Sequence, residues 1–92
     1  MIRSFADTDT RELFEDRAHR RWSAIKKVAV RKLDQIEAAS QLEDLRVPPG
    51  NHLEGLKGER TGQHSIRIND QYRICFEWKQ DGAYEVKITD YH

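Results

Sequence analysis

The first half of the chain has the apolar spacing of two amphipathic helices. Asp7 or Thr8 is suited to cap a first helix that runs to about Arg17. Ser23 is a good N-cap residue, and we expect a second helix to begin there. Apolar residues recur along this second segment mostly at intervals of three and four, which is typical of one buried helix face. They are Ile25, Val28, Ala29, Leu33, Ile36 and Ala39.

The second half of the chain changes to the two-residue period of β-strands. Apolar and polar residues alternate from Gln63 to Ile68, from Tyr72 to Trp78 and from Tyr84 to Thr89. The connections between them are short, and Asp81-Gly82 is a strong turn signal. This pattern predicts an antiparallel meander of three strands.

A fourth strand is expected from Ile2 to Phe5, at the start of the chain. The predicted fold class is therefore α+β, with a small antiparallel-rich four-stranded sheet and two N-terminal helices packed on one face. We treat residues 1–92 as a single domain with one modest core. The other sheet face carries Arg67, Arg73 and Lys87. An open face lined with cations suits RNA, although ordinary polar-out alternation is the commoner reason for such a pattern.

Composition narrows the class of protein further. The formal net charge is zero, which argues against a generic nucleic-acid binder. No apolar run approaches the roughly 20 residues that a membrane span needs, and the first residues lack the apolar stretch of a signal peptide. Cys75 is the only cysteine, so no internal disulfide is possible, and it is expected to be buried in its strand. These features favour a cytoplasmic location.

The charge is unevenly distributed even though it sums to zero. Seven basic residues occur between Arg17 and Leu33 with no acid among them. A local basic field on a neutral protein can engage one polyanion without coating every polyanion, but a solvated helix face would look the same. Six of these residues are our candidates for contact with RNA: Arg20, Arg21, Lys26, Lys27, Arg31 and Lys32.

A long loop separates the helical half from the strands. Residues 48–62 contain two prolines and four glycines. A loop of this length in so small a domain is more often functional than not. It holds His52, a possible RNA contact, together with Glu54 and Lys57. Gly55 and Gly58 flank Lys57, so the backbone there can approach a ligand closely.

Several residues could together cleave RNA by attack of a 2′-hydroxyl on the neighbouring phosphate. Such cleavage needs a base, an acid for the leaving group and cations for the phosphorane. Arg73 and Lys57 are candidates for charge stabilisation. His92 can act as acid or base near neutral pH, whereas Asp90 can act as base or orient a neighbour. Tyr91 can bind the phosphate or stack on a nucleobase.

Each of these residues also has an ordinary structural interpretation. Asp90 can pair with any nearby cation, Tyr91 can close the core, and a histidine in the position of His92 is often frayed. Arg73 can pair with an acid on its own sheet. The histidines and the single cysteine lack metal-ligand spacing, so neither a metal site nor a cofactor is expected.

Three segments resemble a known toxin family, in the same order along the chain. They are PPGNHLEGLKG at 48–58, SIRINDQYRICF at 65–76 and DYH at 90–92, and MIRSF at 1–5 is similar to the family's opening. These segments resemble HigB toxins, the plasmid-maintenance killer branch of the RelE superfamily. The resemblance implies a RelE-like microbial ribonuclease fold, without a metal cofactor. It also implies an endoribonuclease that cuts messenger RNA in the ribosomal A site and so inhibits translation.

The resemblance also implies partners and an active site. The partner is a HigA-like antitoxin with a helix-turn-helix domain, through which alone operator DNA would be bound. The residues that match the family's active site, position by position, are Lys57, Arg73, Asp90, Tyr91 and His92. Glu54 departs from the pattern, since some relatives have a histidine there. It either supplies a different base or hydrogen-bond acceptor, or is dispensable. The alternative to the enzyme is a non-catalytic module that binds the ribosome or the antitoxin.

Overall fold

The fold was obtained as a computed structural model, which describes residues 1–56 and 62–91. Two helices precede a four-stranded antiparallel sheet in which neighbouring strands follow chain order. The helices are α1 (Thr8–Asp16) and α2 (Lys26–Ala38), and the strands are β1 (Glu54–Gly55), β2 (Gln63–Arg67), β3 (Tyr72–Lys79) and β4 (Gly82–Asp90). Short 3₁₀ turns occupy Arg20–Ile25, Leu42–Arg46 and Pro49–Asn51. The predicted α+β class and the three-strand meander are confirmed.

The N-terminal segment differs in part from the strand predicted there. Ile2 and Phe5 form isolated parallel bridges to Ala83 and Val86 of β4. The amide of Arg3 donates to the carbonyl of Ala83 at 2.7 Å, so the segment does lie along the sheet edge. The fourth strand of the ladder is instead β1, from the long loop. A two-residue strand has no alternation to detect, which is why the pattern did not predict it.

The two helices begin in different ways. Asp7 caps α1 as predicted, and its side chain accepts a hydrogen bond of 2.7 Å from the Thr10 amide. The prediction that Ser23 caps the second helix is wrong, because α2 begins at Lys26 without a side-chain cap. The packing of Trp22 explains why the helix begins later than predicted. Its backbone is non-helical and its ring is buried edge-on against Tyr72, with centroids 5.6 Å apart.

One core joins both helices to a single face of the sheet. Seven of its members lie on α1, α2 and three strands and are each at most 1% exposed: Leu13, Leu33, Ile36, Ile66, Ile74, Phe76 and Val86. Burying such a side chain stabilises the fold by about 1.5–3 kcal/mol. The core therefore fixes the sheet as a rigid support for whatever its opposite face carries. Among the described residues, no helix combines the length and apolarity needed to cross a bilayer.

The opposite face of the sheet carries the three cations expected there. Arg67 pairs with Arg73 across β2 and β3, and Arg73 pairs in turn with Thr89 on β4. The next row pairs Ser65, Cys75 and Lys87. Paired residues on antiparallel strands project to the same side. We call this surface the open face. Cys75 is buried within it, as predicted.

Candidate active site

Arg73 lies on the open face with its guanidinium held by its neighbours. Its Nε donates to Oγ of Ser65 at 2.8 Å, and its Nη2 donates to the Ser65 carbonyl at 3.2 Å. Nη2 also donates to the carbonyl of His52 at 2.5 Å. The side chain is only 11% exposed. Three acceptors thus fix the guanidinium plane, while Nη1 donates no hydrogen bond within residues 1–56 and 62–91.

The loop before β1 supplies one of these acceptors. The turn Pro49–Asn51 ends at His52, whose backbone adopts the left-handed conformation with φ 45°. The His52 amide donates to the Pro49 carbonyl at 3.1 Å, which closes the turn. The next bend of the chain presents the His52 carbonyl to Arg73 and leaves the imidazole exposed. His52 therefore contributes to the site through its backbone, a role that the sequence did not suggest.

Glu54 is brought to the same place by the short strand β1. It pairs with Ser65 of β2, and its Oε2 lies 3.9 Å from Nη2 of Arg73. The Glu54 side chain is 59% exposed, so this ion pair is weak by itself. The position nevertheless puts a carboxylate beside the best-held cation of the open face. The departure from the family pattern at this residue therefore falls within the site.

Asp90 and Tyr91 leave the sheet on different sides. Tyr91 extends over the open face, where its hydroxyl lies 3.8 Å from Sγ of Cys75. Asp90 is exposed at the end of β4 and accepts a hydrogen bond of 3.2 Å from Nε2 of Gln71. The Gln71 carbonyl also accepts a bond of 2.5 Å from the Tyr91 amide. Gln71 therefore holds both residues, although its sequence context indicated only a turn.

Two of the predicted site residues cannot be placed. Lys57 and His92 lie outside the described residues. The structure thus brings together Arg73, Glu54 and Tyr91 on the open face. Asp90 lies at the end of β4 and pairs with Tyr72, so it projects to the other side of the sheet. Among the described residues, no group of three or more potential ligands is arranged to hold a metal ion.

The candidate basic residues in α2 and in the turn before it differ in exposure and in their partners. Arg20, Lys26, Lys27 and Arg31 are exposed. Arg21 is also exposed, but its Nη1 donates to Oδ2 of Asp9 at 2.9 Å and its guanidinium lies 4.4 Å from the centre of the Trp22 ring. The hydrogen bond from Arg21 lowers the pKa of Asp9.

The structure corrects the prediction for Lys32. Its side chain is 6% exposed and donates a short hydrogen bond to Oδ1 of Asn51. Burial lowers the pKa of the Lys32 amine. The helical spacing places Lys32 one residue before the core residue Leu33, at the boundary of the apolar face, and the loop covers it. Lys32 is therefore not available for a surface contact with RNA.

The remaining cations of the open face are less constrained than Arg73. Arg67 forms an ion pair with Asp70 in the turn after its strand, and its side chain is 37% exposed. Lys87 is half-buried in the row of Cys75. Both flank Arg73 along the face, so three cationic side chains lie close together there, with Asp70 and Glu54 as the acids nearest two of them.

Comparison with other sequences places this chain in a family. The model of the family described as RelE-like toxin of type II toxin-antitoxin system HigB matches residues 3–92. Toxin HigB-1 of Vibrio cholerae is 41% identical over 80 residues, which cover 85% of this chain and 84% of that protein. An uncharacterized protein of Haemophilus influenzae is 44% identical over 59 residues, covering 64% and 58% of the two chains.

Two solved structures share the fold at low sequence identity. The YoeB-YefM complex from Staphylococcus aureus superposes with a TM-score of 0.59 at 20% identity, covering 100% of this chain and 98% of the matched chain. The YoeB/ParE toxin from Agrobacterium tumefaciens gives 0.55 at 18% identity, covering 98% and 99%. The predicted RelE-like fold is thereby confirmed. The chain belongs to the family of HigB-like toxins of type II toxin–antitoxin systems, within the RelE-like toxins.

Proposed function

We propose that this toxin is an endoribonuclease that cuts messenger RNA in the ribosomal A site, by attack of a 2′-hydroxyl on the adjacent phosphate. RelE-like toxins are generally endoribonucleases. The observation that supports the proposal most directly is how the guanidinium of Arg73 is held. Three protein acceptors fix its guanidinium, and within the described part of the chain Nη1 donates to no protein acceptor, so it can donate to a phosphate.

A fixed cation is what this reaction needs most. Negative charge builds on the nonbridging oxygens as the 2′-oxygen attacks, and a preorganised donor stabilises that charge without reorganising. A single donor of this kind is typically worth about 10²–10³-fold in rate. Arg73 is mostly buried, so its interaction with a phosphate is less screened than that of a surface cation. Lys57, matched by resemblance, would supply a second positive charge.

Other residues of the site would move protons and orient the phosphate. We assign the base to Asp90 or His92, from the resemblance to the family's active site. Tyr91 reaches the open face and would hydrogen-bond the phosphate or stack on a base. Glu54 lies within ion-pair distance of Arg73 and would act as a further acceptor or base. These groups would allow acid–base cleavage without a metal: with Asp90 as the base that takes the 2′-hydroxyl proton, a protonated His92 would give a proton to the 5′-oxygen that leaves.

The ribosome would supply substrate positioning. Four exposed cations would form a basic patch suited to ribosomal RNA phosphates: Arg20 in the 3₁₀ turn before α2, and Lys26, Lys27 and Arg31 on α2. Arg67, Lys87 and His52 surround the Arg73 site and would contact the message itself. A neutral protein gains much from a surface that holds the RNA ready for in-line attack. This function would place the toxin in the cytoplasm.

We also propose that a HigA-like antitoxin with a helix-turn-helix domain neutralises the toxin. The support is the family match and the likeness to a solved toxin complex, YoeB-YefM. Operator DNA would be reached only through that antitoxin. Co-expression with the product of a neighbouring reading frame should restore growth if that product is the antitoxin.

The ends of the RNA product test the proposed chemistry. Purified toxin is added to ribosomes programmed with a defined message, and the fragments are mapped and their termini analysed. The expected upstream fragment ends in a 2′,3′-cyclic phosphate or its hydrolysed form, and the downstream fragment begins with a 5′-hydroxyl. A 5′-phosphate on the downstream fragment would contradict 2′-hydroxyl attack. Intact message on ribosomes that bind the toxin would favour the non-catalytic module instead.

A further inference from the structure

We propose that buried Asn51 and Lys32 position the guanidinium of Arg73 by locking the loop before β1 onto α2. This inference rests on the proposed function, in which Arg73 stabilises the charge of the phosphate. Neither residue is accessible to RNA, since Asn51 is completely buried and Lys32 is 6% exposed. They are positioning residues, and the lock acts on Arg73 through the backbone of His52.

Asn51 is saturated with hydrogen bonds from three directions. Its Oδ1 accepts from Nζ of Lys32, and its Nδ2 donates to Oε1 of Gln35 at 2.9 Å. The same Nδ2 also donates to the carbonyls of Leu45 at 3.1 Å and Val47 at 3.4 Å. One amide thus joins α2 to the two 3₁₀ turns that precede β1. Both polar atoms of the Asn51 side chain therefore have partners, and a satisfied buried network of this kind rigidifies its surroundings.

This network reaches Arg73 through one peptide unit. Asn51 is the last residue of the turn Pro49–Asn51, and its amide donates to the Pro48 carbonyl at 2.9 Å. The following residue, His52, presents its carbonyl to Nη2 of Arg73 at 2.5 Å. Displacing Asn51 by a fraction of an ångström therefore moves an acceptor of the guanidinium. It also moves Glu54, which lies 3.9 Å from Arg73.

The choice of a lysine here is hard to explain by stability alone. Lys32 donates to a neutral amide oxygen, and the nearby guanidiniums of Arg31 and Arg67 oppose its charge. An apolar residue would pack at the same place without the cost of burying an ammonium group. What lysine adds is a directed donor that fixes Asn51 in one orientation. With Oδ1 bound to the ammonium, Nδ2 is directed to the oxygens of Gln35, Leu45 and Val47.

The geometry also links two regions of the proposed function. Lys32 and Gln35 lie on α2, the helix whose exposed residues Lys26, Lys27 and Arg31 belong to the basic patch. The helix is thus bound on one side to the loop of the site and exposes cations elsewhere. The lock holds that loop in a constant position relative to the patch. RNA bound by the site would therefore be held in a fixed relation to the ribosome-binding surface.

Two variants break the lock in different ways. Lys32→Met keeps most of the packing of the side chain and removes the donor to Asn51. Asn51→Asp keeps an acceptor for Lys32 but replaces Nδ2 with an oxygen that faces the three acceptor oxygens. The matched control is Asp34→Asn, which removes the 2.5 Å ion pair between α2 and Arg17 without touching the loop. Gln35→Leu is a milder third variant, since it removes one acceptor of Asn51 alone.

The first measurement is the solvent exchange of the Arg73 Nε–H by nitrogen-15 NMR in the free toxin. This proton is held by Ser65, and it reports the order of the guanidinium whether or not the protein cleaves RNA. The second is single-turnover cleavage on programmed ribosomes together with ribosome affinity. We expect about tenfold faster exchange and roughly 10- to 100-fold slower cleavage for both variants, with affinity within about twofold of wild type. Asp34→Asn should match wild type throughout, and Gln35→Leu should change exchange and cleavage in the same direction but less.

The two readouts separate this inference from the proposed function. Wild-type toxin that cleaves nothing would refute the proposed function. The exchange rate of the Arg73 Nε–H would still show whether Asn51 and Lys32 position the guanidinium. Wild-type exchange in folded Lys32→Met or Asn51→Asp would overturn the lock. If those two variants fail to fold, Gln35→Leu decides it, and wild-type exchange in that variant would equally overturn the proposal. Loss of affinity with unchanged single-turnover cleavage at saturation would also contradict it.

Discussion

Nε of Arg73 donates a 2.8 Å hydrogen bond to the hydroxyl of Ser65, on the strand beside it. The two residues are diagonal neighbours, because Ser65 pairs with Cys75 and Arg73 pairs with Arg67. Ser65 is completely buried and also offers its carbonyl to Nη2 of Arg73. A small buried hydroxyl thus fixes the orientation of the most constrained cation on the open face.

Removing that hydroxyl should damage activity more than folding. Ser65→Ala leaves the strand pairing intact but frees Nε of Arg73, and we expect about tenfold slower single-turnover cleavage from lost alignment. Ser4→Ala is the matched control, since Ser4 Oγ accepts a bond from the Glu85 amide away from the site. The rates are measured on programmed ribosomes, with thermal melts of each variant. Equal rates for Ser65→Ala and wild type would show that Ser65 does not hold Arg73 for the reaction.

The exposed cations of α2 should control binding to the ribosome. Reversing the charge of Lys26, Lys27 and Arg31 should weaken ribosome affinity and flatten its dependence on salt, because fewer counterions are released. Lys79→Glu is the control, since Lys79 lies at the far end of β3 from Arg73. Affinity is measured by co-sedimentation at several salt concentrations. An unchanged salt slope in the triple variant, or an equal loss in the control, would remove α2 from the interface.

Gly82 should tolerate no side chain. Its φ is 140°, and an added Cβ would lie 2.2 Å from the carbonyl oxygen of Met1. That carbonyl accepts the Ala83 amide at 2.9 Å, so the contact holds the N-terminal segment against β4. Gly82→Ala combines backbone strain with this clash, and we expect a loss of stability of about 2 kcal/mol or more. Chemical denaturation measures it, and wild-type stability would mean that the segment contributes nothing to the folded state.

The turn at Asp81 should make stability depend on pH in a defined way. The Tyr84 hydroxyl donates to Oδ2 of Asp81 at 2.6 Å. This hydrogen bond lowers the pKa of Asp81 below 3.8 and raises the pKa of Tyr84 above 10.0. The stabilisation from Asp81 is therefore present above about pH 4 and is lost as the pH falls through the folded pKa. The stabilisation from Tyr84 is present below about pH 10 and is lost as the pH rises through its folded pKa.

The variant Tyr84→Phe tests the predicted direction of this pH dependence. The variant should be less stable than wild type by a constant amount from about pH 5 to pH 9, and the difference should shrink at either extreme. Denaturant unfolding of both proteins across that range gives the difference directly. A difference that persists below the pKa of Asp81 would show that the hydroxyl acts through packing and not through the carboxylate.

Much of the fold could be predicted from the sequence, because a buried face requires apolar residues at regular intervals along the chain. The alternation of Ile66, Ile74 and Val86 with polar residues follows from one buried sheet face, and the structure buries all three. The apolar spacing did not predict β1, because this strand is two residues long and depends on its partner strand. The start of α2 also depended on a tertiary contact, the packing of Trp22 on Tyr72.

The site could be predicted only in part, for a different reason. Arg73, Glu54 and Tyr91 were identified from residue chemistry and resemblance, and the structure places them on one face. Their supports were not identified, because Asn51 and Ser65 act through bonds that join distant parts of the chain. A buried asparagine after two prolines and a serine in a strand have no local signature. Lys32 was assigned to the surface because charge alone does not reveal a covering loop.

The central claim is that Arg73 stabilises the transition state of message cleavage on the ribosome. The most direct test is single-turnover cleavage of one defined message, ribosome-bound and free, by wild type, Arg73→Ala and Arg73→Lys. We expect wild type to cut only the bound message efficiently. Arg73→Ala should be slower by about 10²-fold or more with ribosome affinity nearly intact, and Arg73→Lys should recover little, since an ammonium group cannot bond Ser65, His52 and the phosphate in one plane. Equal cleavage of free and bound message, or wild-type rates in folded Arg73→Ala, would contradict the account.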